Sequence, residues 1–280
     1  MNKVKIVTDS SATMEESKIK ELGIHVIPLT VMVDNVIYID GVTIDGSKFM
    51  DLMENSKSLP KTSQPPIGEF VELYNELGRD GSTIISIHLA ETLSGTVNTA
   101  RQAAEIADAN VIVIDSHYTD QAQAFQAQLA AEMANRGCDA AEIVAAVEDL
   151  RDHHTHLYMG VANMDNMVKG GRVNRVVGFV SNFLKIRVML DMYDSELHVI
   201  SKGRGDKFFY RWFNQFLEDL KGQEVTRLGI SHADASDLAH YFASAIQPLE
   251  PDLHIPVLQT TPIVATHSGK DAFAILYTTK

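Results

Sequence analysis

The stretch Leu89-Ala90-Glu91-Thr92-Leu93-Ser94-Gly95-Thr96-Val97-Asn98-Thr99-Ala100 carries residue types suited to holding a small anion. Ahead of it lies a β-branched run, residues 82–88, bounded by Gly81, with the look of a buried strand. Behind it, Val97, Ala100, Ala104 and Ala107 recur at helical spacing. Ser94 and Gly95 therefore fall where a strand turns into a helix. Free backbone N–H groups and the positive end of a helix dipole collect at such a point. Ser94 and Thr96 add hydroxyl donors, and Gly95 lets a ligand approach the backbone. On its own the stretch is explained slightly better by Ser94 capping the helix than by a ligand. A second group, Thr266-His267-Ser268-Gly269, follows the apolar residues 262–265 and reads as a turn. His267 there serves equally well to bond an anion or to hold the loop.

Other motifs exclude more than they suggest. Gly203-x-Gly205 lacks the third glycine of a dinucleotide fingerprint, because Phe208 occupies its place, and no phosphate-binding Walker pattern or kinase signature is present. His153-His154-x-His156 has no completing carboxylate or cysteine set, so it reads as an exposed helix end and no metal is expected. Cys138 stands alone in a turn. Lys169, Arg172, Lys202 and Arg204 each read as solvated surface charge. Met159, Met164, Met167, Met189 and Met192 suit an adaptable apolar cavity, although core packing explains each singly. With 24 Lys and Arg against 37 Asp and Glu, the net charge of −13 argues against nucleic acid as a partner. No apolar run approaches the ~20 residues of a membrane span, and the chain runs from Met1 directly into a strand. A cytoplasmic location is the expectation.

The elements that must position these groups alternate. Strands are expected at 4–8, 25–33, 83–88 and 111–114, and helices at 14–22, 46–54, 66–77, 96–108, 118–135 and 140–152, with 36–39 completing a hairpin flap through Asp34-Asn35. Residues 58–66 read as a turn-rich loop. Such alternation predicts an α/β fold with a parallel sheet covered on both faces, ligands binding beyond the carboxyl ends of its strands. Asp9-Ser10, residues 89–94 and Asp115-Ser116 would all lie at that edge. Beyond residue 155 a second sheet is expected from strands at 157–161, 186–192, 197–201, 228–231, 255–259 and 272–277, with helices at 164–183, 206–220 and 235–246. The expected division is residues 1–155 and a smaller α/β unit of 156–280.

Thr8-Asp9-Ser10, Thr62-Ser63-Gln64-Pro65, Ser94-Gly95-Thr96, Gly170-Gly171-Arg172 and Thr266-His267-Ser268-Gly269, in that order, resemble the motifs of the DegV family. The resemblance implies a two-domain fold in which a parallel α/β/α domain and a smaller mixed-sheet α/β domain enclose a ligand tunnel. It also implies a lipid-binding protein without catalytic activity or cofactor of its own. Such a protein holds a long-chain, palmitate-like fatty acid and presents it to an ATP-binding kinase subunit for acyl-phosphate formation in bacterial fatty acid metabolism. By motif, Thr62 and Ser94 bind the carboxylate, with Ser63, Gly95, Thr96 and His267 around them, and Arg172 and Arg204 lie at the gate or partner surface. The sequence departs from the family pattern at Lys270-Asp271, where Pro-Gly is common, at Asp120, Ala122 and Ala124, where Ser and Gly are usual, and at Arg187-Val188, where Lys-Pro is common. An alternative function draws on the same residues: a serine hydrolase of acyl esters with Ser94 as nucleophile and His267 as base, although the flanking glycines of a nucleophile elbow are missing.

Overall fold

The computed structural model describes residues 3–178, 186–205 and 207–280. Strand β1 (Val4–Asp9) leads into α1 (Glu16–Leu22), which Gly23 closes in the left-handed conformation at φ 68°. The apolar run 25–33, expected as one strand, divides at Pro28 into β2 (His25–Ile27) and β3 (Thr30–Val33). Proline cannot donate to a ladder, and the chain changes sheets there. β2 stays parallel to β1, whereas β3 turns through Asp34 and Asn35, both at positive φ, to pair antiparallel with β4 (Val36–Ile39). Helix α2 (Gly46–Asn55) starts at Asp45, whose carboxylate accepts from Lys48 N at 2.8 Å. The expected loop at 58–66 contains a further strand, β5 (Lys61–Ser63), which completes the flap by setting Thr62 opposite Val31.

The rest of the first half alternates as expected. Helix α3 (Ile67–Gly78) is followed by β6 (Thr83–His88), α4 (Thr96–Ile106), β7 (Asn110–Asp115), α5 (Asp120–Asn135) and α6 (Ala140–Asp149). The parallel sheet has the order β2-β1-β6-β7. Asp9-Ser10, the residues after β6 and Asp115-Ser116 share its carboxyl edge.

A single π-helical turn, wider than an α-turn, at Leu150–His154 carries His153 and His154. It delivers the chain to β8 (Thr155–Val161), where His156 stacks on Tyr277 with ring centroids 4.5 Å apart. The helix expected at 164–183 forms only at its start, as α7 (Asp165–Lys169). It ends at Gly170-Gly171, Gly171 having φ 76°, and gives way to a single tight turn and β9 (Val176–Val177). The remainder of that expectation, residues 179–183, lies outside the described residues, as does position 206 of the helix expected at 206–220. There follow β10 (Arg187–Tyr193), β11 (Glu196–Gly203), α8 (Lys207–Leu220), β12 (Val225–Ala233), α9 (Ser236–Ile246), β13 (Val257–Gln259), α10 (Pro262–Ser268) and β14 (Ala272–Thr279). They build a mixed sheet in the order β13-β12-β14-β8-β10-β11-β9.

An aromatic core of Phe209, Phe213, Phe242 and Phe273 fills the space between α8, α9 and one face of this sheet. The opposite face turns inward. There Leu157, Val161, Leu190 and Leu276 meet Val31 and Val33 of the flap, Phe49 of α2 and Phe125 of α5. Helix α5 is buried along most of its length, which explains its composition. Ala122, Ala124 and Ala127 allow close approach, and its glutamines bond elements on both sides. Gln123 Nε2 donates to Thr8 Oγ1 on β1, and Gln121 Nε2 to Ser231 Oγ on β12, each at 3.0 Å.

Candidate functional site

A cavity of about 340 Å³ lies where the flap, the loop after β6, α10 and the inward face of the mixed sheet meet. That is within the ~300–1,000 Å³ usual for small-molecule sites. Its walls are chiefly apolar, with Leu29, Leu93, Leu157, Met159, Met167, Met192, Leu197 and Ile263 among them. Its polar groups include Thr62, Ser63, Gln64, Ser94, Arg172 and His267.

Each polar group is brought there by a distinct element. Thr62 sits mid-strand in β5 and faces His267 on the last turn of α10, with Thr62 Oγ1 and His267 Nε2 3.0 Å apart. The sequence places His267 in a turn; the structure places it on a helix, begun by Thr261 as cap and Pro262 in the first turn. Ser94 precedes α4, whose cap position is Gly95. Ser94 Oγ lies 2.9 Å from Thr96 Oγ1 and accepts from Thr96 N at 3.3 Å, so it organises the helix start while lining the cavity. Ser94 N donates to Ala90 O at 3.1 Å. With the Ser94 and Thr96 amides so engaged, side-chain hydroxyls take a larger share of the available anion contacts than the sequence suggests. Arg172 crosses the gap between two loops, its Nε donating to Leu93 O at 3.2 Å and its Nη1 to Gly170 O at 2.9 Å.

Burial, and then the Arg172 charge, bring His267 down to about 3. The ring is neutral at neutral pH and carries one N–H. Its Nδ1 is buried without a hydrogen-bond partner. It packs against Gly170, where a Cβ would come within 2.6 Å of it. With the proton on Nε2, His267 donates to Thr62 Oγ1 and turns the Thr62 hydroxyl proton outward, toward an acceptor in the cavity. Arg172 supplies positive charge at the same end. The arrangement suits an anionic head group whose apolar body follows the Leu- and Met-lined walls.

The hydrolase geometry is different from what is present. Ser94 bonds Thr96 and His267 bonds Thr62, and the vacant Nδ1 has no carboxylate to orient the ring. A Ser–His–Asp line does occur elsewhere: Ser86 Oγ to His88 Nε2 at 2.7 Å and His88 Nδ1 to Asp9 Oδ2 at 3.0 Å. All three residues are fully buried beneath the parallel sheet's edge, where the line joins strands and reaches no described cavity. No group of three or more His, Cys, Asp or Glu side chains among the described residues could hold a metal.

A family model described as "Uncharacterised protein, DegV family" matches residues 3–280. The chain belongs to the DegV family. A DegV domain-containing protein of Streptococcus pneumoniae is 46% identical over 99% of this chain and 98% of its own length. One from Listeria innocua is 40% identical over the whole of both chains. Among solved structures, DegV from Bacillus subtilis, described as a fatty acid binding protein, superposes with a TM-score of 0.92 at 29% identity over 100% of both chains. A Thermotoga maritima protein described as revealing fatty acid binding function gives 0.84 at 26% identity, also over 100% of both.

Within this DegV protein, Thr62, Ser63, Ser94, Gly95, Arg172 and His267 all line one cavity. Thr96 does not; it is buried at the first position of α4 and acts on Ser94. Arg204 is exposed beyond β11 and is not among the lining residues. A Cβ at Gly95 would press on the end of the Gln64 side chain. Gln64, which bonds Thr99 Oγ1, is the polar wall residue that sequence reasoning named without a role. Its signal was its place directly after Thr62-Ser63. Of the methionines, Met159, Met167 and Met192 line the cavity, whereas Met164 packs in the inner core and Met189 in the aromatic one.

Proposed function

We propose that this protein binds a long-chain fatty acid in the cavity, with its carboxylate held by Thr62 and Ser94 and oriented by His267 through Thr62. The carrying observation is the union of an apolar cavity with the Thr62–His267 pair and the Ser94 hydroxyl at one end. Burying roughly fifteen methylenes at ~0.8 kcal/mol each contributes on the order of 12 kcal/mol before the costs of binding. Hydroxyl and charge contacts to the carboxylate add about 1–3 kcal/mol. The tail thus supplies affinity, and the polar end fixes direction. Relatives described as fatty acid binding proteins, at 26–29% identity over the full chain, support the same ligand class.

In this reading the protein is a carrier, catalytically inert alone, whose units 1–155 and 156–280 enclose the acyl chain. A carboxylate held by neutral hydroxyls near Arg172 stays ionised, as attack on a nucleotide phosphate requires. An ATP-binding kinase subunit is the partner that would carry out that step.

The test is mass spectrometry of an organic extract of the purified protein beside Thr62→Ala/Ser94→Ala. Stoichiometric C14–C18 acid in the wild type, reduced at least roughly tenfold in the double variant under limiting lipid, is the expected result. A wild-type protein that is empty and takes up no added fatty acid overturns the reading.

A further inference from the structure

We propose that Met159 is a specificity-determining residue: it stands between the main cavity and a second, methyl-sized apolar chamber, and by turning aside it admits a methyl branch of the acyl chain. This rests on the fatty-acid reading above. On the inward face of the mixed sheet, Ser231, Ala274, Met159 and Leu190 stand side by side on β12, β14, β8 and β10. The neighbouring inward pair on β12 and β14 is Ala233 and Ala272. Four small side chains therefore adjoin one another, and Val264 and Ser268 of α10 close the space over them. A chamber of about 20 Å³ remains, lined almost wholly by apolar atoms and with room for one small group.

An apolar void offers water no hydrogen bonds and stays dry, so a hydrocarbon group is the occupant that fits. Asp120 borders both spaces, but its carboxylate is engaged by Gln121 N at 2.7 Å, Ser231 Oγ at 2.5 Å and Thr260 Oγ1 at 2.5 Å. A methyl entering the chamber gains contacts that its empty walls lack. Asp120, Met159, Val264, Ser268 and Ala274 border both spaces, and Met159 is the longest and most flexible of the five. Its inward neighbours Leu157 and Leu190 are 2% and 0% exposed, whereas Met159 is only half-buried, because it faces open space. An unbranched thioether with three rotatable bonds turns aside at little cost. The position along the acyl chain follows from α10. Val264 and Ser268 lie within one turn of His267, and a turn rises only ~5.4 Å. The chamber therefore lies alongside the carboxyl-proximal half of a sixteen-carbon chain.

Competition tests the assignment. Delipidated protein is offered equal amounts of hexadecanoic acid and its 4-methyl or 6-methyl derivative, and separately of hexadecanoic and 14-methylhexadecanoic acid, and the retained acids are counted by mass spectrometry. Enrichment of the 4- or the 6-methyl acid by roughly threefold or more, the gain from one buried methyl, is the expected result, with the 14-methyl acid near parity. Ala272→Val fills the chamber from outside the main cavity and should bring the ratio to parity. Met159→Ala removes the partition and should keep or raise the ratio. Parity in the wild type overturns the proposal, and so does enrichment of the 14-methyl acid alone or a preference that Ala272→Val leaves unchanged. The wild-type ratio decides without the variants. Retained hexadecanoic acid without branch preference sinks this inference alone, whereas retention of no acid sinks the fatty-acid reading as well.

Discussion

Gly170 and His267 are far apart in sequence, yet the ring packs where a Gly170 side chain would begin. Gly170→Ala places a Cβ 2.6 Å from His267 Nδ1 and 2.9 Å from the carbonyl oxygen of Asn166, so ring and backbone must both shift. A cost of about 1–3 kcal/mol in unfolding free energy is expected, together with weaker fatty-acid retention, because Thr62 loses its orienting partner. Urea titration and lipid extraction of the same sample check both. His267 also leaves a mark on the acid limb. Its folded value of about 3 lies below the ordinary imidazole value of 6.5, so between these pH values the unfolded chain binds a proton that the folded one refuses. Stability is therefore lost as pH falls from about 6.5 toward 3. In delipidated His267→Gln the slope of unfolding free energy over that window should be shallower; an unchanged slope would show that the ring is not held neutral. These residues were only partly legible in sequence. Ser94 and His267 stood out by type and neighbours. Thr62 drew its role from motif resemblance, since a threonine in a turn-rich stretch has no periodicity to mark it. The pairing of Thr62 with His267 depends on β5 joining the flap, a contact across more than two hundred residues that no local pattern encodes.

The flap is held to the parallel sheet by one buried carboxyl. Asp40 follows β4 and accepts from Ser10 Oγ at 2.7 Å, while Ser10 Oγ accepts from Leu29 N at 3.0 Å, so three segments meet at one serine. Burial pushes Asp40 up to about 7 against the pull of the Ser10 hydroxyl, and nearby Asp9 adds to the rise. A carboxyl raised from 3.8 favours the folded state fully at low pH, and that contribution is lost as pH rises from about 4 to 7. At ~1.4 kcal/mol per pH unit, the loss amounts to about 4 kcal/mol. Asp40→Asn should flatten this part of the profile and gain relative stability above pH 7, as read by chemical unfolding from pH 4 to 8. A profile unchanged by the substitution would mean that Asp40 is solvated. At this scale the sequence reads well where periodicity and turn chemistry agree. The strand–helix alternation through 83–135, the Asp34-Asn35 hairpin and the Gly23 cap are examples. It reads poorly where tertiary pairing overrules local pattern. Pro28 splits an apolar run between two sheets, and Gly170-Gly171 ends a helix that the surrounding residues would continue.

Helix α5 makes the two sheets mechanically one. It is buried against β1 and β6 on one side and against β8, β12 and β14 on the other. Gln123 reaches Thr8, Gln121 reaches Ser231, and Glu132 binds Arg227 Nη2 at 2.6 Å. Separating the halves would strand these polar groups and expose the inner core, so the two sheets are expected to unfold together. The cavity lies in that same inner core, among residues contributed by both sheets and the flap. A fatty acid bound there fills space that unfolding would abolish, and it stabilises the folded state by mass action. At a free concentration near one hundred times the dissociation constant this is worth about 2.7 kcal/mol. With ~2–4 °C per kcal/mol for chains of this order of length, the melting temperature should rise by about 5–10 °C over delipidated protein. Calorimetry of both forms should each show one transition. Two transitions in the delipidated protein would mean that the sheets unfold separately and that α5 belongs to one of them. A single transition at an unchanged temperature, with fatty acid demonstrably bound, would place the ligand on a surface instead of in the core. One measurement thus tests both the shared helix and the ligand seated between the sheets, and the two fail in different ways.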